Sequence, residues 1–192
     1  VIFTGAGISE ESGVPTFRSG EDALWAGVPV GDVATPAGWK KDRENVLNFY
    51  NDRRQQMTKV KPNPAHDALV KLEENYDVTI VTQNVDDLHQ RAGSTNVLHL
   101  HGELTKARGC MYDHKTSNLD VVHDIGYKDI IIGDKCKQTG SQLRPHVVWF
   151  GEMPFNVDEA YDAIMAADIV LVVGTSLQIG YTITMLGTSI KK

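Results

Sequence analysis

Along this chain the hydrophobic and polar positions switch between a strand-like and a helix-like period. Val1-Ile2-Phe3-Thr4 is a short apolar run closed by the turn Gly5-Ala6-Gly7, and the Ser- and Glu-rich stretch after it suits the positive end of a helix. Asn63-Pro64 reads as an N-cap followed by proline at the first helical position, with Ala65, Ala68, Leu69 and Leu72 on one face. Two further apolar runs end in polar groups: Val78-Thr79-Ile80-Val81-Thr82 leads into Gln83-Asn84-Val85-Asp86, and Val97-Leu98-His99-Leu100 into His101-Gly102. Val157 to Ala167 has helical spacing, and Asp168-Ile169-Val170-Leu171-Val172-Val173 predicts a strand buried on both faces that ends in Gly174-Thr175-Ser176. Strands alternating with helices predict an α/β fold with a doubly wound parallel sheet. Ligands of such sheets sit beyond the carboxyl ends of the strands, so the glycine loop, an amide, a carboxylate and a histidine are expected to converge there.

Two segments break this rhythm. Residues 18–58 are loop-rich and then helical, whereas 106–142 are polar, hold both cysteines and lack clear periodicity until Asp129-Ile130-Ile131-Ile132. They are expected to be insertions that form a smaller lobe, leaving 1–17, 59–105 and 143–192 as the sheet domain.

Length and charge narrow the function classes. At 192 residues the chain suffices for one domain with an insertion, and it has no apolar run near the roughly 20 residues that span a bilayer. A formal charge of −6 argues against a sequence-independent grip on nucleic acid and favours a basic partner. Cys110 and Cys136 are too few for a disulfide framework, so a reducing cytoplasm is expected. The chain begins inside a strand-like run and stops at Ile190-Lys191-Lys192 soon after another, so both ends are expected to continue.

Gly5-x-Gly7 after a strand is by itself only a tight turn. A dehydrogenase fingerprint needs glycine where Glu10 stands, and the Gly-Lys-Ser/Thr of a phosphate loop is absent. What remains is a loop able to present backbone N–H groups to a pyrophosphate.

Taken together, Gly5-Ala6-Gly7-Ile8-Ser9-Glu10-Glu11-Ser12-Gly13-Val14-Pro15-Thr16-Phe17-Arg18, Thr82-Gln83-Asn84-Val85-Asp86, His101-Gly102 and Gly174-Thr175-Ser176 resemble the sirtuin family of NAD-dependent protein lysine deacylases over nearly the whole chain. The resemblance implies a Rossmann-like domain with a small, often zinc-bearing lobe. It also implies attack of an acyl-lysine carbonyl oxygen on the ribose carbon that carries nicotinamide, which needs a general base, a nicotinamide pocket and exclusion of water. His101 is the expected base; His99 shares its parity on a regular strand and is the competing candidate. Asn84 is expected to orient ribose or water and Asp86 to accept from the nicotinamide carboxamide, although both types also suit a helix-capping turn. By resemblance Gly5, Ala6, Gly7, Phe17 and Arg18 form the cofactor loop, Gln83 faces the ribose, and Val14 and Val85 line the nicotinamide pocket. Gly174, Thr175 and Ser176 take the adenosine side.

Substrate selection has its own signals. Tyr50 and Arg53 are three apart on a predicted helix, so a phenol and a guanidinium share a face and can clasp a carboxylate; Arg54 is expected at the surface. This Tyr-x-x-Arg pair resembles the desuccinylase-type class of bacteria and mitochondria, which takes succinyl, malonyl or glutaryl lysine. Val147-Val148-Trp149-Phe150-Gly151-Glu152 resembles the loop that receives an acylated-lysine peptide as an added strand, with Val148, Phe150, Gly151 and Glu152 as the expected contacts. The zinc pattern is incomplete: Cys110 is followed by Asp113 and Cys136 by Thr139 in place of Cys-x-x-Cys pairs. Two thiolates with Asp113, His114 or His123 can supply a structural zinc site, and a metal-free lobe with two free thiols reads equally well. The continuation Leu177-Gln178-Ile179-Gly180-Tyr181 also lacks the family's usual proline.

Overall fold

Four short parallel strands carry the candidate site. The computed structural model describes residues 1–16, 27–110, 121–178 and 180–189. β1 (Ile2–Thr4) lies between β2 (Ile80–Thr82) and β7 (Leu171–Val173), and β3 (Val97–His99) flanks β2, giving the order β3-β2-β1-β7. The register sets Thr4 beside both Thr82 and Val173, and Thr82 beside His99, so all four strands end along one line. The polar residues that follow each strand therefore start from adjacent points.

Alternation along the strands divides the core into two layers. Ile2 and Ile80 pack with Ile8, Leu69 and Val78 on the face covered by α4 (Pro64–Leu72), while Phe3 and Val81 pack with Leu100, Ala160, Ile164, Met185 and Leu186 on the other. The second face is covered by α6 (Val157–Ala166) and α7 (Gly180–Ser189). Helices on both faces make the sheet doubly wound. α4 starts where its sequence predicts, because Asn63 accepts from the Ala65 and His66 N–H groups while the His66 ring takes the Asn63 N–H. Leu171 and Val172 of β7 are each 44% exposed; among the described residues the strand pairs only with β1.

The second lobe is built on an antiparallel sheet in which β4 (Gly102–Gly109) runs between β5 (Val122–Asp124) and β6 (Leu143–Val147). β4 begins at the residue after His101, and the sheet reaches past both ends of the insertion expected at 106–142. Asp129–Ile132 forms no strand; Ile130 is buried, but Ile131 and Ile132 point outward. Against this sheet pack α1 (Val30–Val33), α2 (Pro36–Lys41) and α3 (Arg43–Met57), around Trp39, Leu47, Tyr50, Leu104 and Trp149. α3 is capped by Asp42, which accepts from the Asn45 N–H, and it buries Val46, Leu47, Tyr50, Arg54 and Met57 at helical spacing. Arg54 is thus fully buried, contrary to its expected surface position: its guanidinium donates to the carbonyls of Leu104 and Lys128 and to Asn51 Oδ1. Among the described residues no helix is long and apolar enough to cross a membrane.

Candidate active site

The glycine loop and the turn after β7 meet backbone to backbone. Gly5 N donates to the Val173 carbonyl at 3.1 Å and Gly7 N to the Gly174 carbonyl at 2.8 Å. A Cβ on Gly5 would lie 2.6 Å from Thr175 Cβ, and one on Gly174, which has φ +64°, would lie 2.2 Å from Ile8 N. Only glycine permits that approach. The turn leads into a 3-10 helix, Ala6–Ser12, whose Gly7 and Ile8 N–H groups are held by the Gly174 and Gly5 carbonyls. Those two N–H groups are therefore engaged inside the protein, unlike the open presentation expected of the loop. Ala6 and Gly7 are half-buried, whereas Gly174 and Ser176 are exposed. Phe17 and Arg18 lie outside the described residues.

Beyond β2, a run of hydrogen bonds joins the expected polar residues through Ser9, which the sequence pattern does not mark. The Asn84 amide donates to Ser9 Oγ at 3.2 Å, and the Ser9 hydroxyl donates to Asp86 Oδ2 at 3.0 Å. Asp86 Oδ1 accepts the Leu88 N–H, so this carboxylate also caps the start of α5 (Leu88–Ala92). Burial pushes the Asp86 carboxyl up, opposed by the Leu88 N–H and the Ser9 hydroxyl. Ser9 is a hydroxyl one turn after the glycine loop; its role emerges only when β1 and β2 are seen to be neighbours.

The two histidines separate by their bonding. His99 is buried with both ring nitrogens engaged, Nδ1 on the Asn84 carbonyl at 2.9 Å and Nε2 on the Gln90 amide at 2.6 Å. It ties the strand ends together. His101 places Nδ1 2.8 Å from the Gln83 carbonyl and Nε2 2.6 Å from the Tyr181 hydroxyl of α7. A carbonyl only accepts, so Nδ1 carries the hydrogen and Nε2 is the basic nitrogen. Burial pulls this imidazole below its ordinary value, partly offset by the Gln83 carbonyl, so it is neutral at neutral pH. The Gln83 side chain accepts from the Thr175 hydroxyl at 2.8 Å, which joins two of the expected cofactor residues.

Val14 and Val85 pack against the apolar cluster that contains Tyr50 and Trp149, bringing the expected nicotinamide and acyl residues to one wall. Tyr50 is buried and its oxygen accepts from Trp149 Nε1 at 3.1 Å. Burial holds its phenol well above the ordinary range, with Arg144 opposing. Arg53, one turn on and half-buried, stacks on Phe49 with its Cζ 3.9 Å from the ring centroid. The loop after β6 starts beside the base: Val148 N donates to the His101 carbonyl at 2.9 Å. Phe150 is 55% exposed and donates its N–H to the Ala34 carbonyl, and Gly151 is exposed. Glu152 differs from its neighbours, because its carboxylate turns inward to Arg144, Arg108 and the Trp149 N–H. What that side chain supplies is the fixed shape of the loop.

The expected zinc donors come together only in part. Cys110 and Cys136 are buried and in no disulfide, and Cys136 Sγ lies 3.4 Å from His123 Nε2. Among the described residues no three histidine, cysteine or acidic side chains form a metal-binding group, so a tetrahedral set is not met there; Asp113 and His114 lie outside them.

Comparison with known proteins matches this architecture. A family model described as the Sir2 family matches residues 5–180. The chain is 52% identical to an NAD-dependent protein deacylase of Aggregatibacter actinomycetemcomitans, over 93% of this chain and 82% of that protein. It is 50% identical to an NAD-dependent protein deacylase of Helicobacter pylori, over 93% of this chain and 74% of that protein. A solved complex of a Sir2 homologue with NAD superposes with a TM-score of 0.86 at 37% identity, covering 100% of this chain and 73% of the other.

Proposed function

The chain belongs to the Sir2 family, and from that premise we propose that it is an NAD-dependent protein lysine deacylase whose acyl pocket favours succinyl-, malonyl- or glutaryl-lysine. The observation that carries the reaction is the neutral His101 at the strand ends, whose Nδ1 is held by the Gln83 carbonyl so that Nε2, on the Tyr181 hydroxyl, is the basic nitrogen. Gly5, Ala6, Gly7, Gln83, Gly174, Thr175 and Ser176 are the residues that would hold NAD, and the close-packed glycines fit a ligand that must approach backbone. NAD supplies a nicotinamide glycosidic bond whose cleavage opens the ribose carbon to the acyl oxygen. His101 Nε2 takes a proton from a ribose hydroxyl. Asn84, oriented by Ser9 and Asp86, fixes the polar partner at that centre, while Val14 and Val85 keep water from it. The protein partner is an acylated-lysine segment lying along Val148–Gly151; with the Val148, Trp149 and Phe150 N–H groups given to His101, Glu152 and Ala34, the loop's part in backbone pairing falls to its carbonyls, a mode that tolerates varied sequences.

Acyl choice rests on Tyr50, a neutral phenol in the cluster that Val85 packs against, and Arg53, a guanidinium one turn on along α3. A hydrogen bond to a charged group contributes about 1.5–3 kcal/mol, so Arg53→Met should lower kcat/KM for a succinyl peptide by about 10- to 150-fold. The matched acetyl peptide should change little. Equal losses on both peptides, or a wild-type preference for acetyl, would overturn the acyl assignment.

A further inference from the structure

Tyr181 has no task in the mechanism above, yet its hydroxyl sits on the base. The oxygen lies 2.6 Å from His101 Nε2, with the two rings edge to face, 6.1 Å between centroids and 87° between planes. α7 is fixed in that position by Thr182, Met185 and Leu186, which are buried, the latter two against Phe3, Val81 and Ile164. Because Nδ1 of His101 is spent on the Gln83 carbonyl, Nε2 is an acceptor and the Tyr181 O–H donates to it. The Gln83 side chain lowers the same tyrosine's phenol against the rise from burial, which places it beside Tyr181, and the Thr175 hydroxyl donates to Gln83. Thr175 bonds the Gln83 side chain, and His101 bonds the Gln83 carbonyl and Tyr181, so the four form one polar cluster. Three of these four are the residues assigned above to the cofactor and the base.

We propose that Tyr181 is a positioning residue that stands in for a ribose hydroxyl: in the free enzyme it holds His101 with a basic Nε2, and it yields that nitrogen when the cofactor binds. The proposal rests on the reading of His101 as base. Burial raises the phenol to about 12, so Tyr181 stays a donor and does not relay the proton. The other ionisable groups nearby are engaged elsewhere: Asp86 with Ser9 and Leu88, His99 with Asn84 and Gln90, and Glu103 with Lys106. A neutral hydrogen bond of ordinary net strength corresponds to about two- to tenfold in an equilibrium, which a bound ribose can displace.

Tyr181→Phe keeps the ring and removes the donor. The KM for NAD should fall by about two- to tenfold with kcat near wild type, and ADP-ribose should bind tighter by the same factor in calorimetry, a readout independent of turnover. Losing a donor to the neutral imidazole favours its protonation, so the acid limb of kcat/KM should move up by about 0.3 to 1 pH unit. The acid limb of kcat reports the bound enzyme, where Tyr181 has already let go, and should stay. Unchanged ADP-ribose affinity with an unmoved kcat/KM profile would make Tyr181 a packing residue, and weaker ADP-ribose binding would make it a direct cofactor contact; either overturns the proposal. His101→Ala measured alongside keeps the two readings apart. If it retains turnover the base assignment fails, whereas an inactive His101→Ala with an unmoved Tyr181→Phe defeats only the role of Tyr181.

Discussion

Replacing Glu152 by glutamine removes a charge from the centre of the substrate loop while keeping its shape. The carboxylate accepts from Arg144 at 2.6 and 3.1 Å, from Arg108 at 3.1 Å and from the Trp149 N–H at 2.8 Å. The three side chains are 9%, 0% and 4% exposed for Glu152, Arg144 and Arg108, so the guanidiniums would be left facing a neutral amide with little water to help. Removing one partner of a buried ion pair costs about 3–5 kcal/mol, and glutamine keeps one acceptor, so about 3 kcal/mol is expected. For a domain of this size that is about 6–12 °C in Tm. Urea and thermal unfolding measure it directly. Burial pushes the Glu152 carboxyl up, but Arg144, the Trp149 N–H and Arg108 outweigh it and hold it below the ordinary carboxylate range. Its contribution is therefore complete above the unfolded value of about 4.3 and is lost as pH falls through the lower folded value, a loss that Glu152→Gln should not show. Because Arg144 also lies over the Trp149 ring, and Trp149 bonds Tyr50, the folded variant should bind its acyl peptide more weakly. A destabilisation under about 1 kcal/mol, the value of an ordinary hydrogen bond, would refute the claim that this ion pair holds the loop.

Gly174→Ala forces a Cβ toward Ile8 N at a left-handed position, which costs about 1–3 kcal/mol in strain alone, so NAD should bind about tenfold more weakly in calorimetry. Unchanged affinity would mean that the two loops separate freely. His89 is buried on Thr4 and its imidazole is pushed down to about 3, first by burial and then by His66 and His99. Since the unfolded imidazole titrates near about 6.5, the neutral folded form stabilises above that pH and the benefit drains away as pH falls toward the folded value. The urea midpoint should accordingly decline from pH 7 to 4 in the wild type and less in His89→Gln; parallel curves would contradict this.

Local chemistry was readable where the physics is local. Asn63-Pro64 marks the start of α4, the residues after β1, β2 and β7 are recognisable as polar strand ends, and the apolar runs at Ile2-Phe3 and Ile80-Val81 are the strands β1 and β2. Features that depend on distant partners were not. Arg54 looks like a surface arginine until Leu104 and Lys128 bring their carbonyls to it, and Glu152 looks like a substrate contact until Arg108 and Arg144 close around it. Ser9 and Tyr181 acquire roles only because the register sets β1 beside β2 and α7 packs over their ends.

The most direct test of the central claim is to incubate the protein with NAD and an acyl-lysine peptide and follow nicotinamide, deacylated peptide and O-acyl-ADP-ribose together by mass spectrometry, for wild type and His101→Ala. A deacylase with His101 as base should form the three products in equal amounts, require the peptide for nicotinamide release, lose all three in His101→Ala and show an acid limb below the ordinary imidazole value. Nicotinamide release that proceeds without peptide, or turnover that survives in His101→Ala, would contradict the account.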